Sequence, residues 1–197
     1  HAFSLSQALV KGWVRLHVGW SEAIGRRVCF GFYNGRNLER FRRQHGDVPV
    51  LLVVPPMSDV NGALPHPGVC ILQAVLRDQG MACEIVNYNL PTRNPVDPFE
   101  HLIAVVRMLR VRILGVSLYS QAIRHTLEGL QRVKRACPGL SIVLGGPHPT
   151  ESYRSLMGVR FVDYICRGEA EESFLRLVSS LLRGEPPAPG TIPGVYS

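Results

Sequence analysis

The rhythm of apolar and polar positions changes near residue 48. Upstream, Leu5, Leu9, Val10, Trp13, Val14 and Leu16 recur at spacings of three and four, the pattern of an amphipathic helix. A second, basic helix is predicted through Leu38 to Gln44. From residue 49 onward, short apolar runs alternate with helical periods, which predicts repeated βα units. The run Val50 to Val54 is aliphatic without a polar break, as a strand covered on both faces requires. Further strands are predicted over Cys83 to Asn87, Arg112 to Ser117, Leu140 to Leu144 and Phe161 to Cys166. Helices are predicted over Pro67 to Gln79, Phe99 to about Arg110, Gln121 to Ala136 and Ala170 to Leu182, with Gly80 and Cys137-Pro138-Gly139 as stops.

This alternation, joined by right-handed crossovers, predicts a Rossmann-like α/β fold: a doubly wound parallel sheet of about five strands with a helical N-terminal extension. Three segments are expected: a basic helical lead over 1–48, the sheet domain over 49–183, and a linker over 184–197. The last has four Pro and three Gly in 14 residues.

Of 197 residues, 46% are hydrophobic and 19% charged, enough apolar material for a sizeable core. No apolar run approaches a membrane span and no signal peptide is recognisable, so a cytoplasmic protein is expected. The first residue is His1, from which a missing true start is expected. The net charge of +7 is unevenly spread. Residues 1–48 hold eight Lys or Arg against Glu22, Glu39 and Asp47, leaving 14 basic against 12 acidic groups elsewhere. The excess belongs to the lead, and no nucleic-acid partner is expected for the domain. The five cysteines, at 29, 70, 83, 137 and 166, are too far apart for a C-x-x-C clamp and odd in number, so they read as reduced thiols.

In a doubly wound sheet, ligands bind over the carboxyl ends of the strands, so the chemistry is sought in the loops there. The loop after the first strand, Pro55 to Gly68, carries neither a G-x-G-x-x-G nor a G-x-x-x-x-G-K-[ST] pattern, which argues against dinucleotide and nucleoside triphosphate sites. With no charge but Asp59, it suits one side of a large neutral ligand. After the third strand, Gly115 leaves space for close approach, and Ser117 can either bond a buried polar atom or cap the next helix. After the fourth, Gly145-Gly146-Pro147-His148 permits close approach of the main chain to a flat ligand. After the fifth, Arg167-Gly168-Glu169 opens a helix whose first turn is acidic, as the helix dipole favours without any function.

Taken in order, V-V-P-P, the P-x-G helix start with Ala74 to Arg77 before Gly80, G-V-S-x-Y, G-G-P-H-x-T and D-Y-x-x-R-G-E resemble the cobalamin-binding domain of cobalamin-dependent radical S-adenosylmethionine enzymes. The resemblance covers about residues 48 to 196, and Ile192 to Val195 resembles the joint that leads into a catalytic barrel. It implies cobalamin at the carboxyl edge, its nucleotide tail detached from cobalt and buried in the sheet. Gly115 and Ser117 would lie along the tail, and Gly145 and Gly146 would let it pass. Pro56, Met57, Ser58, Asp59, Val60 and Asn61 would face the corrin, and Leu118, Tyr119, Pro147, His148, Gly168 and Glu169 would make further contacts.

Related cobalamin domains place a cobalt-ligating His in D-x-H-x-x-G, whereas here Asn61 holds the His position and Leu64 that of the Gly. The resemblance leaves His66 as a candidate lower ligand, beside a lower face that is bare or water-bound. The C-x-x-x-C-x-x-C triplet of such enzymes does not occur. A 4Fe-4S cluster and S-adenosylmethionine would therefore belong to a catalytic domain, in cis or on a separate chain, with methyl transfer the typical reaction. This chain itself presents no catalytic constellation. The rival readings are a flavodoxin-like or receiver-like signalling module without cobalamin, and a basic docking role for residues 1–48.

Overall fold

The computed structural model describes residues 35–57, 66–89 and 97–197. The helix predicted near residues 5 to 16 lies outside them. In chain order the elements are α1 (Gly35–His45), β1 (Val50–Val54), α2 (Pro67–Asp78), β2 (Cys83–Asn87), α3 (Pro98–Leu109), β3 (Ile113–Ser117), a short 3₁₀ turn (Ser120–Ala122), α4 (Ile123–Ala136), β4 (Ser141–Gly145), α5 (Pro147–Leu156), β5 (Tyr164–Cys166), α6 (Glu171–Leu182) and β6 (Val195–Tyr196).

The strands form one sheet in the order β2-β1-β3-β4-β5-β6. The first five are parallel and β6 is antiparallel to β5. Helices cover both faces. Leu51, Val53, Leu114, Val116, Ile142 and Leu144 point towards α3, α4 and α5, while Val50, Leu52, Ile113 and Val143 point towards α2 and α6. All five residues of β1 are buried, which explains its unbroken aliphatic text. Each fully buried Leu or Val contributes roughly 1.5–3 kcal/mol of transfer free energy.

Local chemistry sets the helix ends. The Asp97 carboxylate accepts from Phe99 N–H at 2.8 Å and Glu100 N–H at 3.0 Å, with Pro98 in the first turn of α3. Gly80, at φ +74°, takes the chain out of α2. Asp163 pins β4 to the neighbouring loop: its carboxylate accepts from Ile142 N–H at 2.7 Å and from Lys134 Nζ at 2.8 Å. The basic helix α1 packs on α3, where Phe41 reaches the core and Arg42 donates to the Met108 carbonyl at 3.2 Å.

Two elements go beyond the sequence reading. Helix α5 begins on Pro147 and contains Pro149, residues that read as breakers but are tolerated in a first turn, where the N–H groups have no intrahelical partner. Strand β6 lies within the stretch whose Pro and Gly content reads as a linker; Ile192 and Val195 are buried there. No helix among the described residues is long and apolar enough to cross a membrane.

Candidate functional site

The order β2-β1-β3 reverses direction between β1 and β3, so the crevice of a doubly wound sheet opens at the carboxyl ends of these strands. Three loops meet there, and hydrogen bonds hold each in place. After β1, Met57 N–H donates to Asn89 Oδ1 at 2.7 Å, while Asn89 Nδ2 donates to the Pro55 carbonyl at 2.9 Å and to Asn87 Oδ1 at 3.2 Å. The end of β2 thus fixes Pro55 to Met57. Ser58, Asp59, Val60 and Asn61 lie outside the described residues.

The loop after β3 is stitched to the one after β4. Leu118 N–H donates to the Gly145 carbonyl at 2.8 Å, and the Leu118 carbonyl accepts from His148 N–H at 3.1 Å. Ser120 Oγ and His148 Nδ1 share a hydrogen bond of 2.9 Å. The other ring nitrogen, His148 Nε2, is buried without a partner among the described residues. Such an atom costs free energy unless something bonds to it, so it is a position for a ligand's polar group. Tyr119 reaches the start of α2: its hydroxyl lies 3.0 Å from the Nδ1 of His66, the residue before that helix, with the rings edge to face at 5.4 Å. Burial lowers the His66 pKa from its ordinary value, which favours a neutral imidazole.

The glycines differ from one another. Gly146 stands at φ +97°, and a methyl group there would meet Ser117 Oγ at 3.0 Å, Leu118 N at 3.1 Å and Leu118 O at 3.2 Å. Only glycine suits both that backbone and that proximity. Beside Gly145 the described residues leave room, their nearest atoms to an added methyl group being Cys166 O at 3.9 Å and Cys166 Cβ at 4.0 Å. Ser117 pairs with Gly145 across β3 and β4, so the two face the same way, towards α2 and α6. Gly115, one rung deeper on that face, is covered by Leu52 and Phe174.

A further chain of bonds links the loops after β4 and β5. Thr150 Oγ1 donates to the Gly146 carbonyl at 2.9 Å and accepts from Gly168 N–H at 3.1 Å, while Arg167 Nε donates to the Thr150 carbonyl at 3.1 Å. Arg167 N–H donates to the Gly194 carbonyl at 2.8 Å, tying β6 to the same loop.

Of the residues expected from sequence, the fold brings Pro56, Met57, His66, Ser117, Tyr119, Gly145, Gly146, Pro147, His148, Gly168 and Glu169 to the carboxyl edge. Leu118 contributes its main chain there, but its side chain is fully buried in the core beneath α3, α4 and α5. Sequence reasoning gave no role to Asn87, Asn89, Ser120 and Thr150, which hold the loops, although Thr150 closes the G-G-P-H-x-T motif. The N-Y-N text at the end of β2 is a local signal for the two asparagines, because asparagines at strand ends bond nearby main chain.

Among the described residues no group of three or more His, Cys, Asp or Glu side chains could hold a metal. The four described cysteines are free, and burial pushes the thiols of Cys83 and Cys166 up to about 12. Cobalamin's flat ring and nucleotide tail need a strand edge with little side-chain bulk and a few polar atoms to bond. The open space at Gly145, the turned Gly146, half-buried Ser117 and unpartnered His148 Nε2 fit that need.

Comparison with known proteins agrees. The family model described as B12 binding domain matches residues 55–178. Among solved structures, the radical S-adenosylmethionine methyltransferase TsrM from Kitasatospora setae, with cobalamin and a [4Fe-4S] cluster bound, superposes with a TM-score of 0.64 at 19% identity, over 76% of this chain and 28% of that one. The cobalamin-dependent S-adenosylmethionine radical enzyme OxsB, with aqua-cobalamin bound, superposes with a TM-score of 0.60 at 20% identity, over 78% of this chain and 21% of that one. The chain thus spans little more than a quarter of these proteins at most. No curated protein matches the sequence significantly. The chain belongs to the B12 binding domain family, in a fold it shares with part of TsrM and part of OxsB.

Proposed function

We propose that this domain holds cobalamin over the carboxyl edge of its sheet, with the nucleotide tail off the cobalt and inserted on the α2 and α6 face. On this reading it is the cofactor-binding part of a radical S-adenosylmethionine enzyme of methyltransferase type, whose catalytic domain, with its 4Fe-4S cluster and S-adenosylmethionine, lies in cis or on a separate chain. The observation that carries the reading is the pair at the end of β4: open space beside Gly145 and the turned Gly146, both against Ser117. When bound, cobalamin supplies cobalt-centred redox and group-carrying chemistry. The chain's own residues bind and orient it. Ser117 Oγ and His148 Nε2 would bond polar atoms of the tail, Gly145 and Gly146 would let it pass, and Met57, Tyr119, Gly168 and Glu169 would border the ring.

The lower face of the cobalt is read as bare or water-bound. His66 is the candidate for the other reading, since the Tyr119 hydroxyl at Nδ1 leaves Nε2 for a metal. A single nitrogen splitting in the electron paramagnetic resonance spectrum of the bound cobalt(II) form, lost in His66→Ala, would assign that ligand; its absence would support a bare or water-bound face. The main test is gel filtration of the chain with hydroxocobalamin. Co-elution at one cofactor per chain with an altered absorption spectrum is expected, and an unchanged spectrum without retention overturns the reading.

A further inference from the structure

On the α2 and α6 face, the central rung of the sheet reads Leu52, Gly115, Val143, and the middle position has no side chain. The gap is filled from elsewhere. A methyl group on Gly115 would stand 2.7 Å from Leu52 Cδ2, 3.2 Å from Phe174 Cζ and 3.6 Å from Phe174 Cε2. The edge of the Phe174 ring, carried by α6 and only 3% exposed, is therefore seated against the backbone of β3. One rung nearer the carboxyl edge, Ser117 and Gly145 face the same way. Among the described residues no comparable side chain lies against Gly145, whose added methyl group would meet nothing nearer than Cys166 O at 3.9 Å. Over a single rung the face changes from filled to open, and Phe174 stands at the boundary.

We propose that Phe174 is the floor of the crevice that takes the nucleotide tail, and that its ring selects corrinoids carrying an aromatic lower base over corrinoids without one. The inference rests on the cobalamin reading above and adds a specificity residue to it. A flat base passing Gly145 and Gly146 from the edge ends against this ring, where aromatic pairing adds to the gain from burial. A corrinoid lacking the nucleotide cannot make that contact. Gly115 acts through Phe174 as a positioning residue, because a side chain on β3 would lift the ring into the space the base needs.

The test titrates the full chain with hydroxocobalamin and with aquacobinamide, which has the same corrin ring but no nucleotide. Phe174→Leu is expected to lower the preference for cobalamin over cobinamide by about tenfold, the equivalent of one aromatic pair. A preference left unchanged, including equal weakening of both ligands, overturns the inference. Should Phe174→Leu fail to fold, 4-fluorophenylalanine at position 174 decides: its fluorine resonance is expected to move with hydroxocobalamin and stay with aquacobinamide. A resonance that answers both ligands or neither overturns the inference. If the unaltered chain retains neither corrinoid, the cobalamin reading itself falls, an outcome seen before any variant is made.

Discussion

The two faces of the sheet use the same strands and end differently. Towards α3, α4 and α5 the packing is closed up to the last strand residues: Leu118 is fully buried at the end of β3, and Phe99 fills the space that Gly129 leaves in α4. Towards α2 and α6 the packing is equally dense as far as Gly115, then gives way to Ser117 and Gly145. Glycine has opposite meanings on the two faces. At Gly129 the missing side chain is room already taken, with the Phe99 ring 2.3 Å from where a methyl group would stand. At Gly145 it is room left over. One face holds the domain together, and the other, at its open end, can accept a ligand without dismantling the core.

Substitutions can break this comparison. The largest effect is expected for Gly129→Val, which drives a side chain into Phe99; overpacking should cost about 3 kcal/mol, read as a lower urea midpoint. An unchanged midpoint would show that the closed face has slack. Next is Gly146→Ala, where positive φ and the close Leu118 backbone act together, with an expected loss of about 1–3 kcal/mol and weaker cobalamin retention. Gly145→Val sharpens the contrast: stability should stay within about 1 kcal/mol while cobalamin affinity drops tenfold or more. Ser117→Val should weaken binding in the same way, and undiminished binding in both variants would refute the placement of the tail.

The smallest effect belongs to the closed face. Asp97→Ala removes the cap of α3 and should cost about 1 kcal/mol at neutral pH. Partial burial raises the Asp97 carboxyl, but the N–H groups of Glu100 and Phe99 and the Arg132 guanidinium outweigh it, so its pKa lies below the ordinary 3.8. With the folded value depressed, the carboxylate's contribution is complete above the unfolded value and is lost as pH falls through the folded one. The gap between Asp97 and Asp97→Ala chains should therefore close in acid, and a gap independent of pH would mean that the charge plays no part.

Much of this was legible in the sequence because it is local. Strands β1, β3 and β4 announce themselves as short aliphatic runs, and Gly145-Gly146 falls where such a run stops. Helix α5 was hidden because Pro147 and Pro149 speak against a helix everywhere except its first turn. β6 was hidden because two residues carry no periodicity, and their pairing with Ile165 and Cys166 exists only in three dimensions. The role of Gly115 is of the same kind. Sequence marks it as a missing side chain in a strand, but what fills the gap comes from α6, nearly sixty residues later. The loop bonds of Asn89 and Thr150 are likewise contacts between distant segments, which periodicity cannot reveal.

Strand β6 has a bearing on how the domain behaves in concentrated solution. A long, flat outer strand with free N–H and carbonyl groups invites pairing with another molecule. Here Val195 and Tyr196 pair antiparallel with Cys166 and Ile165, so the outer edge of the three-residue β5 is already covered. At the opposite edge, Glu84 on β2 is held by Arg77 at 2.7 Å, which sets a charge pair where an aggregating strand would add. Among the described residues the edge of β5 is thus covered and the edge of β2 carries a charge pair, while the end of the sheet above Gly145 stays open.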